Sequence, residues 1–158
     1  MLLTGIRNPK PRKGPKPSFP VETVTIASLN GTLEAWYARP DSGQARGTVA
    51  LFHGYTSSKS HLTYEAGYFR HLGYNVLLVD QAGNGNSAGF RTTVGYREAD
   101  DVVAAVRYLR TQRPTDSLIL YGVSIGGRGH PTDRGRARCA SHHQYSRMPL
   151  RQHVPNRL

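Results

Sequence analysis

The sequence has a single cysteine, Cys139, which excludes an internal disulfide and leaves the redox compartment open. No apolar run approaches the roughly 20 residues that cross a bilayer. The opening Met-Leu-Leu-Thr-Gly-Ile is also too short for the apolar core of a secretory signal. A cytoplasmic protein without a membrane span is the expectation. Acid is missing where base is abundant. Residues 1–20 hold Arg7, Lys10, Arg12, Lys13 and Lys16, five prolines and no carboxylate; residues 128–158 hold seven arginines, four histidines and one acid, Asp133. The formal charge of +11 divides into +5, 0 and +6 over residues 1–20, 21–127 and 128–158. All of the net charge therefore lies in the flanks, whereas a nucleic-acid partner would need a basic face on patterned structure, so no specific nucleic-acid binding is expected.

Two nucleotide motifs fail by one residue each. Four residues separate Gly54 from Lys59-Ser60, but a phosphate-binding loop needs glycine immediately before the lysine, and Ser58 is there. Gly83 and Gly85 begin a dinucleotide fingerprint whose third glycine would be residue 88, an alanine. Cys139, His142, His143 and His153 match no familiar four-ligand zinc spacing. No cofactor and no metal are expected, and the sequence carries no signal for oligomeric state.

What remains is an orderly body between a basic, proline-rich arm (1–20), expected to lie off the core, and an Arg/His-rich tail (128–158) without periodicity. Val21 to Pro40 is strand-like on either side of Asn30-Gly31, which predicts a hairpin with those two residues in its turn. Three continuously apolar runs follow: Thr48–Phe52, Val76–Val79 and Leu118–Tyr121. Such runs suit parallel strands covered on both faces. Between the first two, Leu62, Ala66, Phe69 and Leu72 fall at helical spacing, with Gly73 placed to end the helix. Between the second and third, Val102, Val106 and Leu109 predict a helix face; Glu98, Asp100 and Asp101 in the first turn, and Arg107, Arg110 and Arg113 near the last, complement its dipole. Hairpin followed by β-α-β-α-β is an α/β pattern: an N-terminal hairpin plus a mostly parallel sheet with flanking helices.

The chemistry sits after the third apolar run. Gly122-Val123-Ser124-Ile125-Gly126 matches G-x-S-x-G directly behind a strand. A serine thrust out on a tight strand-to-helix turn needs glycine two residues before and two after it. Ser124 is the candidate nucleophile, and the amide of Ile125 is aimed at the same point, as one donor to an oxyanion.

From Gly47 to Gly127 the chain resembles the N-terminal half of an α/β-hydrolase, in particular the serine hydrolases grouped with the S33 aminopeptidases and lipase-like enzymes. The matching pieces are His53-Gly54-Tyr55, the run of Asp80, Gly83, Gly85, Ser87 and Gly89, the segment from Thr92 to Val106, and the serine turn. The resemblance implies hydrolysis of a small-molecule ester or amide through an acyl-enzyme on Ser124. Tyr55 would supply the second oxyanion amide, with His53, Gly54, Gly122 and Gly126 supporting the loops. Ala82 is a departure, since relatives usually carry arginine in that loop.

In that fold the acid and histidine follow the serine on later strands, yet only 34 residues follow Ser124. Each further β-α unit takes about 30 residues. Asp133 lies amid glycine, proline and arginine where the helix behind the serine should run. A one-base change of frame through the codons of residues 128–135 can encode Ala-Ala-Ile-Leu-Leu-Ile-Ala, a helix-forming run. The expectation is therefore a frameshift at or just after Gly127, a fold incomplete beyond the serine turn, an exposed sheet edge beside Leu118–Tyr121 with poor solubility or partner-dependent folding, and an inactive or impaired enzyme. A non-catalytic fragment or interaction module is the alternative.

Overall fold

A computed structural model describes residues 5–7, 14–41, 43–93, 95–123 and, as a backbone strand only, 146–149. The strands are β1 (Ile6–Arg7), β2 (Glu22–Ser28), β3 (Gly31–Ala38), β4 (Thr48–Phe52), β5 (Asn75–Val79), β6 (Arg91–Thr92), β7 (Ser117–Gly122) and β8 (Ser146–Pro149). Helices α1 (Thr63–His71) and α2 (Glu98–Gln112) follow β4 and β6, and a 3-10 turn, Lys59–Leu62, leads into α1.

The main sheet has the order β2-β3-β5-β4-β7-β8. It is mixed: β5, β4 and β7 form a parallel centre, while the β2–β3, β3–β5 and β7–β8 pairs are antiparallel. Thr48–Phe52 and Val76–Val79 are buried on both sides, as their composition requires, whereas in Leu118–Tyr121 only Leu118 and Tyr121 are buried and Ile119 and Leu120 are half-covered. Ala50 and Phe52 face the α2 side with Leu77, Val79 and Leu109, whereas Val49 and Leu51 face the α1 side with Val76, Leu78 and Ala66.

Helix α1 ends as its glycine predicts. Gly73 has φ +89°, its N–H bonds Arg70 O at 3.0 Å, and Tyr74 N–H reaches back to Phe69 O at 3.0 Å. That pair of bonds is the Schellman closure, which needs a residue at ease with positive φ.

Four details differ from the sequence reading. In the hairpin, Ser28 pairs Gly31, so Leu29 and Asn30 form the turn, not Asn30 and Gly31. The register is fixed by placing Val24, Ile26, Leu33 and Ala35 together in the core, which outweighs the local turn preference. On α2 the most buried residues are Asp101, Ala104, Ala105 and Leu109, while Val102 and Val106 are only partly covered, because alanine lets the helix lie close to the sheet. The arm does not lie off the core: β1 pairs antiparallel with β6, and Phe19 packs 4.2 Å from the Arg70 guanidinium at the α1-side cluster. Finally, within the tail expected to be irregular, β8 pairs with β7 along Ser117–Leu120, the edge expected to stand bare.

Candidate active site

The site begins with parallel pairing. β4 and β7 are adjacent and in register to their ends, Phe52 opposite Gly122, and Val123 N–H donates to Phe52 O at 3.1 Å. The loop His53–Tyr55 and the segment entering the serine turn therefore leave the same edge of the sheet side by side. They share a cleft of about 210 Å³ with Gln81, Asn84, Thr92 and Glu98. Such a crevice beyond the carboxyl ends of parallel strands is where α/β sheets hold ligands.

His53 is 4% exposed. Gln81 N–H donates to its Nε2 at 3.1 Å, so the proton is on Nδ1, which donates to Gly54 O at 2.8 Å. Burial lowers its pKa despite that backbone bond and nearby Asp80. With both ring nitrogens engaged, His53 ties the β4 loop to the β5 loop and is not placed to take a proton from a serine. Immediately after Tyr55, Thr56 has φ +51°, an uncommon conformation for a β-branched residue. Conformations of this kind persist where surroundings over-determine them, and they collect at functional loops.

The loop after β5 is held from inside. Asp80, 1% exposed, accepts Lys59 N–H at 2.7 Å through Oδ1 and Asn86 N–H at 2.9 Å through Oδ2, and it pairs with Lys59 Nζ. Lys59 Nζ also bonds Glu34 Oε1 at 2.9 Å and lies 4.6 Å from the centre of the Trp36 ring. Ser87 Oγ accepts Glu34 N–H at 2.9 Å and donates to Asp80 O at 2.5 Å. Gly85, at φ +48°, passes so near that a Cβ there would fall inside 3.0 Å of the Asp80 carboxylate. The spacing of Asp80, Gly83, Gly85 and Ser87 thus builds one closed network.

On the far wall, Glu98 gathers the loop before α2. Its Oε1 accepts from Thr92 Oγ1 at 2.5 Å and Thr93 N–H at 2.9 Å, and its Oε2 from Thr93 Oγ1 and Gly95 N–H, both at 2.8 Å. Partial burial pushes this carboxyl up, but the Thr92 and Thr93 bonds outweigh it and bring the pKa down to about 2. Asp101, fully buried, accepts from Ser28 Oγ at 2.6 Å, Asn30 Nδ2 at 2.9 Å and Ala82 N–H at 2.8 Å. Both carboxylates are joints between loops more than complements to a helix dipole.

The sequence profile of the family described as serine aminopeptidase, S33, matches residues 43–129, more than half of the chain. The chain belongs to this S33 family. An esterase of Pyrococcus furiosus superposes with a TM-score of 0.67 at 31% identity, over 76% of this chain and 49% of the esterase. A lidless α/β serine hydrolase of Xanthomonas campestris gives 0.60 at 30% identity, over 71% and 55%. Caffeoylshikimate esterase of Arabidopsis thaliana is 34% identical over 103 residues, 62% of this chain and 31% of that protein. The chain thus spans about half the length of the solved esterase and a third of the plant enzyme. An α/β-hydrolase fold is shown by these likenesses.

Of the S33 site residues read from sequence, the structure brings His53, Gly54, Tyr55 and Gly122 to one cleft. Ser124, Ile125 and Gly126 lie outside the described residues, as do Asp133, Cys139, His142, His143 and His153. Lys59 and Glu34 were missed. The lysine's only sequence signal was its place in the failed phosphate-loop motif, and Glu34 carried none beyond its place in the strand-like run.

Proposed function

We propose that this chain carries the nucleophile half of an ester-hydrolysing serine site. In this reading Ser124 Oγ attacks the carbonyl carbon of an ester or amide and its proton passes to a base. The oxyanion gathers to the amides of Tyr55 and Ile125, and the alcohol or amine leaves with a proton. Water then cleaves the acyl-serine ester, releasing the acid and restoring the hydroxyl. The observation that supports it best is the in-register end of β4 and β7, which puts the His53–Tyr55 loop beside the residues leading into Ser124. The esterases among its structural likenesses favour an ester over an amide.

His53 is committed to the β4 and β5 loops, so the base in this reading is another histidine, carried with its orienting acid by later strands. The 158-residue polypeptide alone is then impaired in turnover, because losing triad members leaves only what binding and the oxyanion hole provide. Labelling by a fluorophosphonate, abolished in Ser124→Ala, tests the reading. A chain that folds but takes no label is the non-catalytic fragment instead, and label that survives Ser124→Ala places the nucleophile elsewhere.

A further inference from the structure

We infer that the rim formed by the hairpin tip, β6 and the start of α2 docks on an anionic lipid surface. Four apolar side chains stand out of the fold there: Leu29 is 87% exposed, Tyr96 74%, Ile6 59% and Phe90 55%. They belong to one surface. Ile6 pairs Thr92 across β1–β6, Phe90 precedes β6, and Leu29 adjoins Asn30, which is bonded to Arg97 through Nε at 3.0 Å and to Arg97 O at 2.5 Å. Asn30, Phe90, Arg91 and Arg97 together line a shallow cleft of about 160 Å³.

Charge selects the occupant. Arg91 and Arg97 are both exposed and have no carboxylate partner among the described residues, and Arg7 stands opposite Arg91 in the β1–β6 pair. Of the acids in the first turn of α2, Glu98 and Asp101 line the cleft and are engaged in the hydrogen bonds that join loop, helix and hairpin, and Asp100 forms no salt bridge with Arg97 among the described residues. A ring of guanidinium groups without carboxylate partners, set around exposed Leu, Ile, Phe and Tyr, is complementary to phosphate headgroups over an acyl layer: the apolar side chains enter the boundary while the arginine heads stay with the phosphates. A nucleic acid would use the arginines but gain nothing from burying Leu29 or Ile6. Thr92 and Glu98 of this rim also line the candidate active cleft, so docking turns that cleft toward the lipid. The surface stands independently of whether Ser124 is active.

The test is co-sedimentation of the full chain with vesicles of phosphatidylglycerol mixed with phosphatidylcholine, against phosphatidylcholine alone. Binding to the anionic vesicles is expected. Arg91→Glu with Arg97→Glu should weaken it at least about 30-fold, the equivalent of roughly 1 kcal/mol per arginine. Leu29→Ser with Phe90→Ser, which leaves charge untouched, should weaken it about ten-fold through lost apolar burial. Arg151→Glu with Arg157→Glu makes the same charge change in the tail and should leave binding as it was. Trp36 emission checks that each variant keeps its fold. The inference is overturned if the tail pair matters as much as the rim pair, if the serine pair binds like the parent, if duplex DNA displaces the vesicles from the rim variants and parent alike, or if the rim instead mediates self-association without vesicle binding.

Discussion

Gly85→Ala tests the claim that a closed polar network, and not the turn alone, shapes the loop after β5. Two costs are separable. Holding a residue with a Cβ at φ +48° costs about 1 kcal/mol. The larger cost comes from the Cβ itself, which meets the buried Asp80 carboxylate inside 3.0 Å and forces it to retreat. Retreat breaks its bonds to Lys59 and Asn86, leaving Lys59, 2% exposed, with Glu34 as its remaining carboxylate. Breaking a buried ion pair costs about 3–5 kcal/mol, because the surviving charge stays out of water. Gly43 provides the control: it has φ +75°, and a Cβ added there would meet nothing within 4 Å, so Gly43→Ala carries only the backbone cost. The single tryptophan, Trp36, lies against Lys59 and reports the network by fluorescence during urea unfolding. Gly85→Ala should lower stability by about 3 kcal/mol or more beyond Gly43→Ala, a midpoint shift of roughly 1–3 M at common urea slopes. Equal losses in the two variants would refute the reasoning.

Other outcomes follow from the same joints. Glu98 has a folded pKa of about 2 against an ordinary 4.5, so it contributes stability above the ordinary value that is lost as pH falls through the folded one. With its partial exposure discounted, about 1–2 kcal/mol should vanish between those pH values, and Glu98→Gln should flatten that limb of an acid titration followed by circular dichroism. His53 has its pKa lowered by burial, so the unfolded chain takes up a proton first and stability declines as pH drops below about 6.5. His53→Gln should remove that slope while lowering stability at neutral pH, as thermal melts across pH would show. Asp101→Ala takes the acceptor from the Ala82 amide and the Ser28 hydroxyl and one of two from Asn30 Nδ2, at a cost of about 2–4 kcal/mol in urea unfolding; a loss under about 1 kcal/mol would mean water replaces the carboxylate.

Strand positions and the order of elements were legible because burial on both faces demands uninterrupted apolar residues, and Thr48–Phe52 and Asn75–Val79 have no other reading in an α/β pattern. Gly73 was legible because helix closure asks for positive φ locally. The hairpin register was not, since it depends on which residues of β2 meet which of β3 in the core, a decision made by packing partners distant in sequence. The buried charges were hidden for the same reason. Lys59, Glu34 and Asp80 lie 21 to 46 positions apart, and nothing in any one segment announces that a lysine will be 2% exposed.

The candidate site shows the same division. Gly54, Tyr55 and Gly122 could be named from local motifs, but their meeting depends on β4 lying directly beside β7 and parallel to it. A crossover that placed β7 on the outer side of β5 would keep every motif and separate the two amides by another strand, about 5 Å farther. The adjacency rests on Val49, Leu51 and Tyr121 on one face of the sheet and on Ala50, Phe52 and Leu118 on the other, the latter sharing a core with Ala105 and Leu109 of α2, which packs over β2 and β4. Positions that touch no substrate therefore carry the geometry on which the proposed oxyanion site depends. A substitution at Ala105 to a larger residue should disturb labelling of Ser124 by way of strand spacing, before it abolishes the fold.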